Sequence, residues 1–250
     1  MLGSNEITAF HRNGFVVVRG HTPIEQVALF RKLASRDVHE GIGPAEYEAD
    51  LHYPGAPASR SAPGGGTARR LLQAYARYPA MRDWATSAAV AQPLRQLLGG
   101  RVMLSQSHHN CVMTKQPHYS SATGWHQDIR YWSFQRPELI SVWLALGTER
   151  PENGGLWLLP ATHVMEFARN RLDEALFLRE DLPDNKTLID TRVPCTLAPG
   201  DALFFHCRTF HTAGANHTMA PKLSVVFTYH AADNVPLPGT RSASLPSVAL

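Results

Sequence analysis

The chain has 250 residues, of which 44% are hydrophobic and 18% are charged, and this balance predicts a globular protein with a sizeable packed core. The formal net charge is only +3 and the basic residues are scattered, so nothing favours a nucleic-acid partner. The sequence shows no long apolar run and no basic start of a secretory signal, so we expect a cytoplasmic protein with no membrane partner. Its three cysteines form no C-x-x-C pair, and we expect them to be reduced thiols.

The first elements are predicted to be a helix, a strand and a second helix. Residues 5–12 favour a short helix, which Gly14 ends. The β-branched run at 15–19 is typical of a strand. Thr22-Pro23 then begins a helix that we expect to run to about Ser35, because apolar residues recur there at helical spacing.

Two further segments complete a front third that we expect to be mainly helical. Residues 41–66 contain too many glycines and prolines for a regular element, and we expect a long loop that is a candidate lid. From Arg69 to about Leu98 the apolar spacing is helical again, with breaks at the prolines.

After this point the sequence becomes rich in short β segments. The expected strands lie at 101–115, 126–131, 139–147, 155–159, 193–197, 202–207 and 222–230. Seven or eight strands after a helical front predict a mainly β fold, a sandwich or barrel of the jelly-roll kind with flanking helices. We expect one domain over residues 1–250, with the helical part at about 1–100 and the jelly-roll core at about 101–232.

A candidate metal site lies in the stretch 123–128, which reads as a strand. Alternate side chains on a strand point to the same face, so His126 and Asp128 are expected to lie together, roughly 6–7 Å apart. With a second histidine they would form the two-His-one-carboxylate triad that binds iron(II). A lone His-x-Asp pair is weak support in a chain with 13 histidines, and a hydrogen-bonded pair without metal is the alternative.

The second histidine has to come from a distant strand, and two candidates follow the turn at 199–201. His206 lies within the next strand, whereas His211 is followed by small residues that leave room for a ligand beside a metal. We therefore favour His211 as the metal ligand and expect His206 to be packed or hydrogen-bonded.

Polar residues also occupy part of one predicted strand face at 102–110. Gln106 and Asn110 follow apolar residues on this face, which is consistent with contacts to a polar ligand. A solvated strand face is the alternative, and the sequence does not decide between them.

These motifs resemble the phytanoyl-CoA dioxygenase family of iron(II)- and 2-oxoglutarate-dependent oxygenases. The resemblance rests on NGFVVV at 13–18, WHQD at 125–128, NGGLWLLPATH at 153–163, and GD followed by FFH and HTAGAN between 200 and 216. It implies a double-stranded β-helix (jelly-roll, cupin-like) core. It also implies that His126, Asp128 and His211 bind iron(II), and it makes His163 a structural residue.

The resemblance implies a 2-oxoglutarate site as well, with one departure from the family pattern. Where the family has an arginine for the far carboxylate of 2-oxoglutarate, this chain has Lys222, which keeps the charge but loses the two-pronged geometry. Ser224 shares its strand face, and Trp143 and Gln127 are further candidate contacts. Ala213 stands where the family often has a serine, so one hydrogen bond to the cosubstrate is expected to be missing.

The implied reaction is hydroxylation or desaturation of a small organic substrate by O2, with conversion of 2-oxoglutarate to succinate and CO2. Asp128 fills the carboxylate position, so halogenation is not favoured. Two alternatives remain: a cupin-like metalloenzyme that does not use 2-oxoglutarate, and a non-catalytic ligand-binding module with the same fold. The segments 41–66 and 164–192 are expected to influence substrate choice.

Overall fold

The helices and strands below come from a computed structural model that describes residues 1–51, 53 and 55–250. The helices are α1 Ser4–Asn13, α2 Ile24–His39, α3 Ala74–Arg77, α4 Pro79–Ala85, α5 Ala88–Leu98 and α6 Pro183–Ile189. The strands are β1 Phe15–Val18, β2 Ala45–Tyr47, β3 Ala68–Leu72, β4 Val102–Lys115, β5 Thr123–His126, β6 Leu139–Ala145, β7 Leu156–Leu158, β8 Val193–Pro194, β9 Ala202–His206, β10 His211–Ala213, β11 Lys222–Ala231 and β12 Val248–Ala249. Within the described ranges, no helix is both long enough and apolar enough to cross a membrane.

The strands form two antiparallel sheets that face each other. The larger sheet has eight strands in the order β1-β9-β6-β11-β4-β3-β2, with β12 paired to β4. The smaller sheet has four strands in the order β5-β10-β7-β8. This arrangement is the predicted mainly β jelly roll of the cupin-like, double-stranded β-helix class, with helices flanking the larger sheet.

Two apolar clusters cover the two faces of the larger sheet. Phe204 and Phe205 are consecutive and both fully buried, because alternate side chains of β9 point to opposite faces. Phe204 packs with the helical side, where Phe30 and Trp84 cover the sheet. Phe205 packs between the two sheets. The face toward the helices is therefore apolar, whereas the face toward the smaller sheet combines apolar residues with polar side chains that line a cavity.

The turn between α1 and β1 confirms the predicted helix end. Gly14 has φ of 84°, and its N–H donates to Phe10 at 2.7 Å, which ends the helix. A Cβ on Gly14 would lie 2.5 Å from Thr209 Oγ1 and 2.6 Å from His163 Nδ1. Gly14 is therefore required both for the turn and for the close packing of the β9–β10 connection.

Several predicted element boundaries are wrong. Residues 69–72 belong to strand β3 instead of a helix, and β2 lies within the segment predicted to be an unstructured loop. Positions 52 and 54 of that loop lie outside the described residues. The second helix runs to His39, beyond the predicted end near Ser35. Strand pairing explains β2 and β3, because β3 pairs with β4 far along the sequence and β2 then pairs with β3.

Two further short strands, β10 and β12, were also missed, and one expected strand is shorter. β10 has three residues and β12 has two, which is too few for an alternating pattern to be visible in the sequence. β8 covers only Val193–Pro194, whereas residues 193–197 were predicted. The sheet also includes β1, β2 and β3, so the front hundred residues contribute directly to the β structure.

Candidate metal centre

The three predicted metal ligands come together at one end of the smaller sheet. His126 ends β5 and pairs directly with His211, which begins β10. Their ring centroids lie 4.2 Å apart. With Asp128 they offer one ligand atom each, and these atoms lie within 4.8 Å of one another. All three side chains are buried.

The position of Asp128 differs from the prediction. Strand β5 ends at His126, and Asp128 begins a 3-10 turn that runs to Tyr131. The turn is fixed because Ile129 N–H donates to the carbonyl of Cys207 at 3.0 Å. Asp128 therefore reaches the site through a turn, and the expectation that it shares a strand face with His126 is wrong. Gln127, predicted to contact the cosubstrate, donates from Nε2 to the backbone carbonyl of Arg208.

Backbone carbonyls orient both histidine rings. Nδ1 of His126 lies 2.8 Å from the carbonyl of Gly124, and Nδ1 of His211 lies 3.0 Å from the carbonyl of Thr209. A ring whose Nδ1 donates to a carbonyl keeps its Nε2 lone pair for a metal ion. Burial, and after it the nearby His211, lower the pKa of His126 well below its usual value, which keeps its ring neutral and able to ligate.

The Asp128 carboxylate has two protein partners. His109 Nε2 lies 2.9 Å from Oδ1, and Ser141 Oγ donates to Oδ2 at 3.3 Å. Burial alone would raise the pKa of Asp128, but the charge of His109 and its hydrogen bond help to outweigh burial and hold the pKa well below the usual range. For His109, burial alone would lower the pKa, but the charge of Asp128 raises it to about 9. His109 was missed in the sequence, where it was one polar residue among several on β4.

This donor set fits an iron(II) ion. Two neutral imidazole nitrogens and one ionised carboxylate are the ligands of the facial triad, which leaves the other coordination positions open. A buried carboxylate is costly without a cationic partner, and a divalent ion would supply the charge that Asp128 requires. The ligand atoms also open onto a cavity, so small molecules can reach the same point.

The cavity measures about 370 Å³ and lies between the two sheets. Its wall includes the three candidate ligands, together with Lys222 and Trp143, as the sequence predicted. The lining also includes charged side chains that the sequence did not single out: Glu46, Arg69, Arg70 and Lys115. The candidate metal centre therefore shares its cavity with several charged groups.

The comparison of the sequence with known families decides the family of this chain. The profile of the family described as Phytanoyl-CoA dioxygenase (PhyH) matches residues 10–224. The chain belongs to the phytanoyl-CoA dioxygenase family. It is a non-haem iron(II)- and 2-oxoglutarate-dependent dioxygenase, and iron(II), 2-oxoglutarate and O2 are its cofactor and cosubstrates.

Individual family relatives are distant in sequence but match over most of the chain. Ectoine dioxygenase of Sphingopyxis alaskensis is 25% identical over 249 residues, which cover 93% of this chain and 77% of the relative. Human peroxisomal phytanoyl-CoA dioxygenase is 27% identical over 139 residues, covering 50% of this chain and 39% of the human protein.

Solved structures show the same fold. The iron-bound structure of EctD from S. alaskensis has a TM-score of 0.78 at 21% identity, and the match covers 98% of this chain and 82% of that one. The epimerase SnoN, in complex with Fe3+, alpha ketoglutarate and nogalamycin RO, has a TM-score of 0.74 at 23% identity. That match covers 98% of this chain and 94% of SnoN.

The predicted cosubstrate contacts of this family member are close together, around a residue that the sequence did not reveal. Lys222 and Ser224 lie on one face of β11, with Lys222 Nζ 3.1 Å from Ser224 Oγ. Trp143 faces them from β6, with its ring centroid 5.0 Å from Lys222 Nζ. All three contact the fully buried Glu149, which carried no recognisable motif.

Gln106 and Asn110 line the cavity wall, but each is already hydrogen-bonded to the protein. Gln106 Nε2 donates to the carbonyl of Pro246 at 2.8 Å, and Asn110 Oδ1 accepts from the N–H of Tyr75 at 2.7 Å. The predicted strand face does not continue between them. A bulge separates the pairs Asn110↔Phe227 and Ser105↔Thr228, so the alternation of β4 is interrupted there.

Two buried cations near the pocket were also missed. Arg69 forms an ion pair with Glu48 at 3.1 Å and donates to the hydroxyls of Ser121 and Thr123. Lys115 donates from Nζ to the carbonyl of Ser121. Burial and the charge of Arg69 lower the pKa of Lys115 to about 7. Single charged residues in strands give no sequence signal that they will be buried.

The two other histidines of the motifs have the predicted structural positions. His206 lies on β9, away from the triad, with its ring centroid 5.5 Å from that of His163. Its Nδ1 accepts from the N–H of Arg208 at 3.1 Å. His163 Nε2 lies 3.2 Å from the carbonyl of His11, so it ties the turn after β7 to α1.

Both segments expected to influence substrate choice reach the site. Phe177, from the segment 164–192, lies with its ring centroid 5.8 Å from that of His126. Tyr53, from the segment 41–66, contacts Phe177 at 6.1 Å between centroids and pairs with Tyr131 at 3.3 Å between hydroxyls. Aromatic side chains from both segments therefore lie beside the candidate metal site.

Proposed function

We propose that this dioxygenase hydroxylates or desaturates a C–H bond of a small polar substrate, with His126, Asp128 and His211 as the iron(II) ligands. The observation that carries the proposal is the convergence of these three buried donors on one wall of the cavity. Loaded with iron(II), 2-oxoglutarate and O2, such a site converts the cosubstrate to succinate and CO2 and oxidises the substrate.

The residues around the triad would prepare it for this chemistry. Carbonyls at Gly124 and Thr209 fix the two imidazole rings, and His109 and Ser141 hold the Asp128 carboxylate, so the ligands need little rearrangement. Because Asp128 supplies a carboxylate, no ligand position is vacated for a halide. Hydroxylation or desaturation is therefore favoured over halogenation.

The cavity wall supports a small polar substrate. Arg70 and Glu46 lie side by side there, with 3.2 Å between Arg70 Nε and a Glu46 oxygen, and both side chains are partly accessible. The ectoine dioxygenases among the relatives support the same substrate class through their name. Lys222, Ser224 and Trp143 remain our proposed contacts for 2-oxoglutarate.

We also propose a cytoplasmic location and an enzyme that needs neither a membrane nor a nucleic-acid partner. Cys111, Cys195 and Cys207 are free and buried, which suits a reducing compartment. Fractionation of the source cells, with the protein detected by antibody, tests the location. Recovery with the membrane fraction would contradict it.

Succinate release tests the proposed function. Purified enzyme with iron(II), 2-oxoglutarate and air is expected to form succinate, and His126→Ala is expected to lower the rate at least about 100-fold, as removal of a metal ligand does. His206→Ala is the matched control, because His206 is a half-buried histidine outside the triad. A His126→Ala enzyme that decarboxylated 2-oxoglutarate at the wild-type rate would contradict the assignment.

A further inference from the structure

The proposed 2-oxoglutarate contacts already bind a carboxylate of the protein itself. Glu149 is fully buried, and its oxygens accept from Ser224 Oγ at 2.5 Å and from Trp143 Nε1 at 3.1 Å. Lys222 Nζ lies 3.2 Å from Glu149 Oε2. Three of the residues predicted to contact the cosubstrate thus bind Glu149 instead.

Lys222 has little capacity left for a second anion. Its ammonium group contacts Glu149 and Ser224 and faces the Trp143 ring, and its side chain is only 1% exposed. The positive charge of Lys222 is paired with the negative charge of Glu149. A far carboxylate of 2-oxoglutarate brought to Lys222 would therefore meet a cation whose charge is already balanced.

The backbone of Glu149 holds it in this position. Its N–H donates to the carbonyl of Leu197 at 2.8 Å, and its carbonyl accepts from the N–H of Leu197 at 3.1 Å. This two-way bridge lies outside the two sheets and fixes the backbone of Glu149, so the side chain is the part that can move. Two carboxylates that share one lysine in a buried pocket repel each other, because the low local dielectric screens them weakly.

We propose that Glu149 competes with the far carboxylate of 2-oxoglutarate for Lys222 and thereby sets the affinity of the enzyme for its cosubstrate. The proposal rests on the proposed function, in which Lys222 faces the far end of 2-oxoglutarate. Lysine suits such an exchange, since its ammonium is a compact point charge that can turn from one carboxylate to another.

Substitution of Glu149 by glutamine tests the competition, since it removes the charge while keeping the size and one acceptor oxygen. Binding of 2-oxoglutarate to the manganese(II)-loaded enzyme, measured by anaerobic calorimetry, is expected to tighten at least about tenfold in Glu149→Gln, which corresponds to about 1.4 kcal/mol. Glu152→Gln is the matched control, because Glu152 is an exposed carboxylate in the neighbouring turn. Its affinity is expected to equal that of the wild type.

A second ligand separates this effect from a general change of the pocket. The 2-oxo acid 2-oxopentanoate has the same metal-binding end but a methyl group in place of the far carboxylate. Its affinity is expected to stay the same in Glu149→Gln. Equal tightening of both oxo acids, or no tightening of 2-oxoglutarate, would overturn the proposal.

Lys222 itself provides the last test. In the Glu149→Gln background, Lys222→Met is expected to abolish the gain in 2-oxoglutarate affinity, with thermal unfolding used to verify that the double variant is folded. If the gain persists, the far carboxylate binds elsewhere, for example at Lys115, and the competition model is wrong. If neither oxo acid binds the metal-loaded wild-type enzyme, the proposed function itself fails, which is a different result from unchanged affinity in the variant.

Discussion

The histidines near the ends of strands β5, β9 and β10 serve two different purposes, and their surroundings separate them. His126 and His211 turn Nε2 toward a shared centre, whereas His206 lies beside His163 and accepts a backbone hydrogen bond. Residues of the same type, only five positions apart, therefore differ in function because β9 ends at His206 and β10 begins at His211.

A pH-dependent loss of stability is expected from His206. Burial, reinforced by the charges of His163 and Arg208, lowers the pKa of His206 to about 4. In the unfolded chain its pKa is about 6.5, so between these values the unfolded state binds more protons. The contribution of neutral His206 to stability is therefore complete above pH about 6.5. It is lost as the pH falls to 4, which lowers the free energy of unfolding by about 2 to 3 kcal/mol.

Urea unfolding of the metal-free protein at pH 7 and pH 4.5 measures this loss. His206→Phe is expected to remove the part of the difference in unfolding free energy that comes from His206, so the variant is less sensitive to acid than the wild type. Other buried histidines, including His163, keep their own contributions in both proteins. Identical acid sensitivity of wild type and variant would show that His206 is not held neutral.

At this scale the sequence was most informative about residues that belong to motifs. The triad was predicted because its motifs occur in the expected order, and the small residues after His211 favoured it over His206. The role of Lys222 in binding 2-oxoglutarate stays a prediction. Glu149 and His109 were missed because each is defined by a buried partner distant in sequence: Lys222 for Glu149 and Asp128 for His109. Such pairs depend on the fold and leave no local pattern.

At the scale of elements, strand β3 shows why a helical pattern can mislead. Its two arginines lie in a strand because each finds a carboxylate: Arg69 pairs with Glu48, and Arg70 pairs with Glu46 on the adjacent β2. Tertiary pairing of this kind overrides local helix preference. The same contacts give structure to part of the segment that was predicted to be a loop.

The Arg69–Glu48 pair is expected to be a large contributor to the stability of these strands. Both side chains are at most 3% exposed, and Arg69 also binds the hydroxyls of Ser121 and Thr123, next to β5. Arg69→Met would leave the buried Glu48 carboxylate without its cationic partner, with only hydrogen bonds from Ser121, and it is expected to lower the free energy of unfolding by about 3 to 5 kcal/mol.

Chemical denaturation of the metal-free protein checks this value. The double variant Arg69→Met, Glu48→Gln removes both charges and is expected to recover part of the lost stability. A single variant as stable as the wild type would contradict a structural role for the pair. A double variant less stable than the single one would show that Glu48 has a second important partner.

The role of Gly14 in the α1–β1 turn can be tested against Gly20, a glycine after β1 that also has a positive φ. Gly14 and Gly20 both have positive φ, 84° and 58°, but a Cβ on Gly20 would meet no atom within 4 Å. Gly20→Ala is expected to cost about 1 kcal/mol, from backbone conformation alone. Gly14→Ala is expected to cost about 3 kcal/mol or more, because its Cβ also collides with Thr209 and His163.

Urea unfolding of the two variants compares these costs directly. The difference between them isolates the packing of the β9–β10 connection against α1. Since this connection leads to His211, Gly14→Ala is also expected to weaken metal binding, whereas Gly20→Ala is not. Equal destabilisation by both substitutions would mean that the turn can move away from His163 without cost.

For the whole molecule, the class of fold was predictable but the strand pairing was not. Alternating segments after a helical front, together with the family motifs, gave the jelly roll. The order of strands in the larger sheet brings β1 beside β9 and β3 beside β4, contacts that no local pattern encodes. The division into one domain of 1–250 stays a prediction.

The distribution of the ligands predicts that metal binding stabilises the entire fold. His126 and Asp128 follow one another closely, but His211 lies on a separate strand, so an ion joins β5 to β10 and favours the folded state alone. At a free manganese(II) concentration of about 100 times the dissociation constant, this linkage contributes about 2.7 kcal/mol. For a chain of this size the expected rise in Tm is about 5 to 10 °C.

Differential scanning calorimetry with and without manganese(II) measures this rise in Tm. His211→Ala is expected to abolish the rise, whereas His206→Ala is expected to keep it. An equal rise in His211→Ala would mean that the ion binds without the second strand, and the triad would not be the metal site.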